Sequence, residues 1–369
     1  MTVLILAILL IFPTTAGAAA QAKYKFNWME SGDATGIALV KNGVTYVPLT
    51  RMTGYFKLDL SWDDSGTRAQ FSGWKKSLAV RVGHLTGVLD GKLIKLPEAP
   101  FLLDKELYIP AQFMINALGG GSLTWDAATK TLKAVQLQTF KKYDFFYEGL
   151  KYTVEGKSGI LYVTDRMGIQ RVLAKLGTPI NEYLYSDFER TAGGLLIINF
   201  YDSYGEPHLN NQYFTVVVKD DKVVQQSSVY YWNRIEKNAT KLGSDLLLID
   251  GKRLNIIEDG TGKLLETIDL VKIGGEEDNY FIEYMDKDVY LLRANKRGIL
   301  KLVDRKSDKV SILYKELLDT KQQEYAEQND SPYTGDFLKF IKREGNILYF
   351  KNDFPYDKDN KTYRISLAE

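Results

Sequence analysis

Two stretches of this chain repeat one pattern at nearly equal spacing. Tyr46-Val47-Pro48-Leu49 precedes Leu60-Ser61-Trp62-Asp63, and sixty-two residues further on Tyr108-Ile109-Pro110-Ala111 precedes Leu123-Thr124-Trp125-Asp126. The Tyr-to-Trp spacing is 16 in the first copy and 17 in the second. Self-similarity of this kind constrains the fold before composition does. Each copy reads as strand, helix, hairpin. Val44 to Val47 and Glu106 to Ile109 are short β-type runs, each ended by a proline, which lacks the ladder donor and is tolerated at a helix start. In the second copy Ala111, Phe113, Met114, Ala117 and Leu118 fall on one helical face, and Gly119-Gly120-Gly121 is expected to stop the helix. The first copy offers Leu49, Met52 and Phe56, with a stop expected near Gly54. A polar turn and a second strand, around Ala69 to Phe71 or Thr131 to Val135, follow each Trp-Asp. Between the copies, Leu78 to Gly83 and Leu85 to Leu96 alternate as paired strands, with Asp90-Gly91 as a hairpin turn.

These residues carry a resemblance. Tyr-Val/Ile-Pro, a short helix, a glycine stop, Ser/Thr-Trp-Asp and a hairpin resemble the stalk module called the copper amine oxidase N-terminal-like domain, over about residues 30 to 138. The module is common in exported proteins of Gram-positive, bacillus-type bacteria. The resemblance implies a structural or surface-interaction module and no copper ligand, because the domain it is named from lies away from the oxidase's catalytic centre. The rest of the chain agrees. It contains no Cys and only two His, His84 and His208, which cannot supply three copper ligands, and Asn279-Tyr280 is followed by Phe281 where a quinone-forming motif needs an acid. No cofactor is expected.

The first residues read as an address. Val3 to Phe12 is an unbroken apolar run of ten, followed by the small-residue stretch Ala16 to Ala22. Ten helical residues span about half of a roughly 30 Å hydrocarbon core, so a signal peptide over residues 1 to 22 is expected, cut before Lys23, with Ala16 and Ala18 offering one earlier cut. No Lys or Arg precedes the run. A secreted or cell-surface location follows, with no membrane span after cleavage. With 48 Lys or Arg against 47 Asp or Glu, the balance argues against nucleic-acid binding as the main task.

Residues 139 to 369 read as β-rich. Apolar runs at Ile160 to Val163, Leu195 to Phe200, Leu246 to Ile249, Val289 to Leu292 and Ile347 to Phe350 start 35, 51, 43 and 58 residues apart. Four are followed by a turn and a second strand: Gly168 to Leu173, Leu254 to Ile257, Gly298 to Val303 and Tyr363 to Leu367. The fold class expected is therefore an α+β stalk domain followed by an all-β domain, a five-bladed β-propeller or propeller-like array, with a β-sandwich or a mixed fold as alternatives. One helix, Leu317 to Gln328, is expected as a surface insertion ended by Asn329 to Pro332. Phe140 to Tyr147 reads as a first strand at the domain junction.

Motifs that suggest chemistry have simpler readings. Gly260-Thr261-Gly262-Lys263 lacks the spacing of a phosphate loop and reads as a turn. Ser72-Gly73-Trp74-Lys75 has a Ser-x-x-Lys spacing but sits in a strand and turn region, where no helix brings Lys near Ser. Asp357 to Lys361 lacks the glycine and glutamate of a calcium loop. His84 and His208 read as surface or hydrogen-bonding side chains. Among the acids, Asp165, Asp202, Asp250, Glu283, Asp304 and Asp353 are the candidates for a propeller channel, which keeps open a carbohydrate-active enzyme, a glycoside hydrolase or lyase. No catalytic constellation is complete, and the expectation is a non-catalytic, envelope-associated protein binding a glycan or an extracellular protein. A sensor or lid for a small ligand is a third reading. The candidate binding aromatics are Tyr183, Tyr185, Tyr201, Tyr204, Tyr230, Tyr231 and Trp232, with Tyr213 beside them, as rings that stack on sugars or peptide groups; the alternative is that they fill half-buried strands.

Overall fold

The computed structural model describes residues 20–29, 31–328, 334–354 and 361–367. The chain divides into two compact units, Met1–Lys142 and Tyr143–Glu369. Both are dominated by β-structure, laid out as separate sheets with no closed barrel among the described residues.

In the N-terminal unit both copies of the repeat form the expected succession. The first runs through strand Val44–Pro48, helix Leu49–Phe56 and strands Asp59–Trp62 and Arg68–Gly73. The second runs through strand Glu106–Pro110, helix Ala111–Met114, a π-helical turn Ile115–Gly119 and strands Ser122–Asp126 and Thr131–Leu137. The copies meet through their first strands, antiparallel, with Val47 opposite Ile109. Each proline is the residue from which its helix starts, where the missing N–H would have had no helical partner in any case. Gly54 does not stop the first helix; it lies inside it, and the stop is Lys57, left-handed at φ 56°, with its N–H on the Thr53 carbonyl. The three glycines of the second copy divide the work. Gly120 takes the left-handed cap at φ 63°. A Cβ on Gly121 would stand 2.2 Å from the Val135 carbonyl oxygen, and one on Gly119 would stand 2.5 Å from Leu137, so these two permit close approach of the next strand.

Strands Ala20–Trp28, Gly32–Lys41 and Phe101–Leu103 of this unit were not expected from the sequence. Ala20–Trp28 pairs antiparallel with Gly32–Lys41 and parallel with Thr131–Leu137. Its alternate residues Ala22, Tyr24, Phe26 and Trp28 are buried in the core of the unit, the period-2 pattern of a strand with one face inward. Ala20 to Ala22 therefore belong to a strand, although they had been expected in the leader; residues 1 to 19 lie outside the described residues.

The C-terminal unit contains five sheets made of strands consecutive in the chain. The first holds Lys142–Tyr147, Leu150–Glu155, Ile160–Thr164 and Gln170–Lys175; the second holds Tyr183–Arg190, Leu196–Tyr204, Asn210–Lys219 and Lys222–Trp232. The third spans Lys241–Leu242 to Leu264–Asp269, the fourth Tyr280–Met285 to Val310–Ile312, and the fifth holds Leu338–Glu344, Ile347–Asn352 and Tyr363–Ser366. Each of the five apolar runs falls in a different sheet. Their unequal spacing has two causes: the long strands of the second sheet, and helices placed between later sheets. The expected helix, Leu317 to Gln328, starts later, at Thr320–Gln328, and a separate short helix, Leu313–Leu317, precedes it. Leu318 between them is extended, and the Asp319 carboxylate accepts the Gln322 N–H, restarting the chain as a helix. Nor is this a surface insertion, because Leu313, Tyr314, Leu318 and Ala326 are buried against the fourth and fifth sheets. Asn329 to Pro332 lie outside the described residues.

Apolar side chains join neighbouring sheets in sequence: first to second, second to third, third to fourth, fourth to fifth. Strand Val289–Ala294 is buried at all six positions. Tyr290, Leu292 and Ala294 face the third sheet, and Val289 and Leu291 face the fifth. Arg293 follows the same alternation onto the fifth-sheet side. Only 1% exposed, it pairs with Glu283, donates to Asp336 at 2.8 Å and to the Gly298 carbonyl at 2.6 Å, and reaches the Leu338 carbonyl. Asp336, also buried, accepts from Leu300 N–H at 2.7 Å and Leu338 N–H at 3.1 Å. Burial opposes the charge on Arg293, and the two carboxylates more than offset it, raising its pKa. A second tie lies at a turn of the fourth sheet. Asp286 accepts from Tyr284 Oη at 2.6 Å, from the N–H groups of Asp288 and Val289, and from Arg343, whose other arm reaches Asp288 at 2.8 Å. Burial pushes the Asp286 carboxyl up; the hydrogen bonds and Arg343 outweigh it and hold its pKa below the usual value.

Replacing Arg293 with Ala leaves Glu283 and Asp336 buried without their cation, and should cost about 3–5 kcal/mol, read by urea unfolding of the full chain. A loss below about 1 kcal/mol would show that the ties of the fourth to the fifth sheet do not need this side chain. Asp286 gives the pH signature. Because its folded pKa is depressed, its contribution is complete above the ordinary carboxylate pKa of about 4 and is lost as pH falls through the lower folded value. The stability gap between the native chain and Asp286→Asn should stay level from about pH 8 to 5 and close below about pH 4; a gap independent of pH would contradict this.

Candidate binding surface on the second sheet

Strand Tyr183–Arg190 is an edge of the second sheet, bonded only to Leu196–Tyr204. Its alternation separates two faces. Leu184 and Phe188 pack with the first sheet. Tyr183, Tyr185, Asp187 and Glu189 point the other way and are exposed, Tyr183 at 54% and Tyr185 at 61%. Register then lines up rings that are far apart in sequence: Tyr185 lies opposite Tyr201, and Tyr201 opposite Tyr213. The rings stack, with centroids 6.1 Å apart at 26° for Tyr185 and Tyr201, and 4.7 Å apart at 28° for Tyr201 and Tyr213. Tyr213 meets the edge of Tyr231, which lies flat on Phe281 of the fourth sheet. The ladder thus runs from an open ring at the sheet edge into the core. Its inner members show it electrostatically: burial raises the phenol pKa of Tyr213, with Tyr201 adding to the shift, and burial likewise raises that of Tyr231.

Tyr183, Tyr185, Tyr201, Ser203 and His208 line a hollow of about 520 Å³. His208 lies over Tyr183 at 6.1 Å and 26°, its Nδ1 3.3 Å from the Ser203 carbonyl and its Nε2 3.8 Å from the Glu182 carboxylate. Tyr201 Oη and Ser203 Oγ both donate to Asn211 Oδ1, at 2.6 and 3.3 Å. The approach to the edge strand is held from beneath. Asp202, fully buried, accepts from Asn181 N–H at 2.7 Å, the Asn181 amide at 3.2 Å and Glu182 N–H at 3.2 Å. Tyr143 Oη donates to the Glu182 carbonyl at 2.7 Å; burial raises the Tyr143 pKa, and Asp202 and Glu182 raise it further. Chemically the hollow offers aromatic faces, hydroxyls and an imidazole, a set suited to a ring with one apolar face and polar edges.

Of the aromatics singled out in the sequence, the structure therefore brings Tyr183, Tyr185 and Tyr201 together, with Tyr213 behind them. Tyr231 is fully buried and donates to the Tyr280 carbonyl at 2.8 Å, so it serves the core. Tyr230 donates to Asn210 at 2.6 Å, and Tyr204, Tyr230 and Trp232 line no part of the hollow. His208, read as a loop residue, is a wall of it; its tie to Tyr183 depends on a loop path that leaves no pattern in the sequence. The candidate acids are occupied locally. Asp165, Asp250 and Asp304 each accept two backbone N–H groups of their own turns. Glu283 pairs with Arg293, and Asp353 lies 3.9 Å from Lys351. Among the described residues no group of three or more His, Asp and Glu is placed to hold a metal ion. Gly260 and Gly262, with φ of 94° and 72°, form a turn that Glu258 N–H closes on the Lys263 carbonyl at 2.9 Å. Ser72 and Lys75 lie at a strand end and a turn, with no helix between them. Of Asp357 to Lys361, all but Lys361 lie outside the described residues. His84 stands in a turn beside strands of the N-terminal unit.

Residues 31–134 match the copper amine oxidase N-terminal domain, and the duplicated block of the N-terminal unit is such a domain. The match leaves the C-terminal unit unassigned. No curated protein matches the chain. Among solved structures, the chain is similar to dihydro-heme d1 dehydrogenase NirN at 9% identity and a TM-score of 0.27, covering 69% of this chain and 56% of that one, so this chain spans little more than half of that protein. It is similar to virginiamycin B lyase from Staphylococcus aureus at 9% identity and a TM-score of 0.25, covering 84% of this chain and 83% of that one. Apo AztD from Citrobacter koseri gives 8% identity and a TM-score of 0.24, covering 95% and 96%.

The role given to Asp202 can be checked without a ligand. Asp202→Ala removes the acceptor of three bonds, and should cost about 1–3 kcal/mol and loosen Asn181 and Glu182, read as faster amide exchange at the start of the edge strand. Unchanged exchange there would remove Asp202 as the support of the hollow.

Proposed function

We propose that this is an exported, non-catalytic protein of the cell envelope whose C-terminal unit binds a glycan on the exposed tyrosine face of its second sheet. In this reading the five small sheets are the blades of a propeller-like array, and the N-terminal domain is the scaffold that holds the array at the surface. The observation that carries the proposal is the aromatic hollow: two rings more than half exposed, braced by a stack that continues into the core and bordered by hydroxyls and an imidazole. Large exposed rings backed by fixed neighbours stack on the apolar face of a sugar with little loss of side-chain entropy. The local engagement of the six candidate acids supports binding over hydrolysis. Export rests on the apolar run at Val3 to Phe12. The earlier cut that Ala16 and Ala18 offer is the form of it that leaves strand Ala20–Trp28 whole, since a cut before Lys23 removes the buried Ala22.

The test is retention of the purified chain on isolated cell-wall polymer, with Tyr185→Ala as its partner. The native chain should be retained, and the variant should bind about tenfold more weakly, the loss of one stacked ring being about 1–1.5 kcal/mol. No retention of the native chain, or equal retention of the variant, would defeat the proposal.

A further inference from the structure

Resting on that reading, we infer that the ligand of the tyrosine face is an amino sugar with a free, cationic amine. The argument starts from which ring face is open. In the stack of Tyr185, Tyr201 and Tyr213, each inner ring is covered on both sides, while Tyr185 sits on the edge strand, 61% exposed, with its outer face free to accept one more ring. A bound ring extends the stack from there.

Carboxylates outnumber cations around that open face: Glu182, Asp187 and Glu189 against Lys241. Asp187 is two residues along the same strand and on the same side, so its Cα stands about 7 Å from that of Tyr185 along the chain. Among the described residues it has no cationic partner. Its neighbour on the same face, Glu189, is paired with Lys241 at 3.0 Å. Among the described residues Glu182, at the other end of the hollow, has only His208 as a cationic partner, at 3.8 Å. No Lys or Arg lines the hollow. An ammonium group next to a stacked sugar ring therefore meets an unpaired carboxylate on one side and the negative face of a phenol on the other. A neutral or acidic sugar gains nothing from Asp187 as a charge. A lysine-rich peptide would satisfy the carboxylate too, but it has no rigid ring to extend the stack.

The experiment compares binding of the full chain to three probes: oligomers of glucosamine, the same oligomers N-acetylated, and polylysine. Titration calorimetry on the native chain, Asp187→Asn and Tyr185→Ala gives the readout. The free-amine oligomer should bind, acetylation should weaken it at least about fivefold, and Asp187→Asn should weaken only the free-amine form, about two- to fivefold, with the difference shrinking as salt is added. Asp187 is exposed and makes no bond that folding uses, so its variant keeps the native fold. Equal binding of the free and acetylated oligomers with no effect of Asp187→Asn would overturn the amine while leaving the glycan-binding surface standing. Binding of polylysine alone, lost in Tyr185→Ala, would overturn the amino sugar in favour of a basic peptide. Binding of none of the three would overturn both this inference and the reading it rests on.

Discussion

A four-stranded antiparallel sheet has two faces, and in the C-terminal unit both faces of the middle sheets are apolar, so no sheet can stand alone. The second sheet shows how strict this is. Ile198, Phe200, Phe214 and Val216 point to the first sheet, while Leu195, Ile197 and Val217 point to the third. At about 25 cal/mol per Å² of apolar surface, neither set tolerates water. Stacking sheet upon sheet is the solution, and it places most apolar positions of 143–369 before any polar contact is considered. Where the stack is buried on both sides, as at Val289–Ala294, even a charged residue must be taken inside. Arg293 is tolerated there because two carboxylates and two carbonyls surround it, an arrangement that specifies how the fourth and fifth sheets meet more than it adds to stability.

The same constraint explains why an exposed aromatic face appears where it does. The ends of the stacked faces are the places where alternation continues past the neighbouring sheet. On the second sheet the inward side changes along the strand from Ile197 and Val217 to Tyr201 and Tyr213, and at the edge strand to Tyr185 and Tyr183. The rings are continuous with the core at one end and open at the other. Mobility is limited accordingly: Tyr231 is fixed by burial, half-buried Tyr213 is held between Tyr201 and Tyr231, Tyr201 is fixed by its stack and its bond to Asn211, and Asp202 fastens the segment leading into Tyr183. A face ordered in advance in this way gives up little entropy on binding, and this connects the packing of the sheets to the proposed function.

How much of this was legible in the sequence differs between the two units for a physical reason. Proline at a helix start, glycine at a left-handed cap and a Trp-Asp hairpin are local devices, each decided by a few neighbouring residues, so the repeat at Val44 to Trp62 and Glu106 to Trp125 could be read almost element by element. Runs such as Leu246 to Ile249 marked one strand in each of five sheets; where the strand is buried on both faces, as over Leu246 to Leu248, the run is apolar throughout. Strand Ala20–Trp28 was hidden because its first residues share their composition with a leader's end. The tyrosine ladder was hidden for a deeper reason: Tyr185, Tyr201 and Tyr213 are adjacent only through register, and a shift of one residue would put each ring on the opposite face. Composition marked Tyr201, which lines the hollow, and Tyr231, which fills the core, alike and could not separate them.

Repetition inside the chain carries the same lesson. Trp62 and Trp125 occupy one position of the motif, yet Trp62 packs against the core of its unit, while Trp125 is 49% exposed. Their strand partners differ: Trp62 lies opposite Ala69, and Trp125 opposite Leu132. A larger partner leaves an indole less room to lie against the sheet. A residue's place in a motif thus fixes its backbone setting, and what surrounds the side chain fixes its role. The argument extends from the repeat to the whole chain: a copper amine oxidase N-terminal domain supplies an architecture, and the chemistry of recognition has to be sought where side chains are left open, as they are along Tyr183, Tyr185 and Asp187.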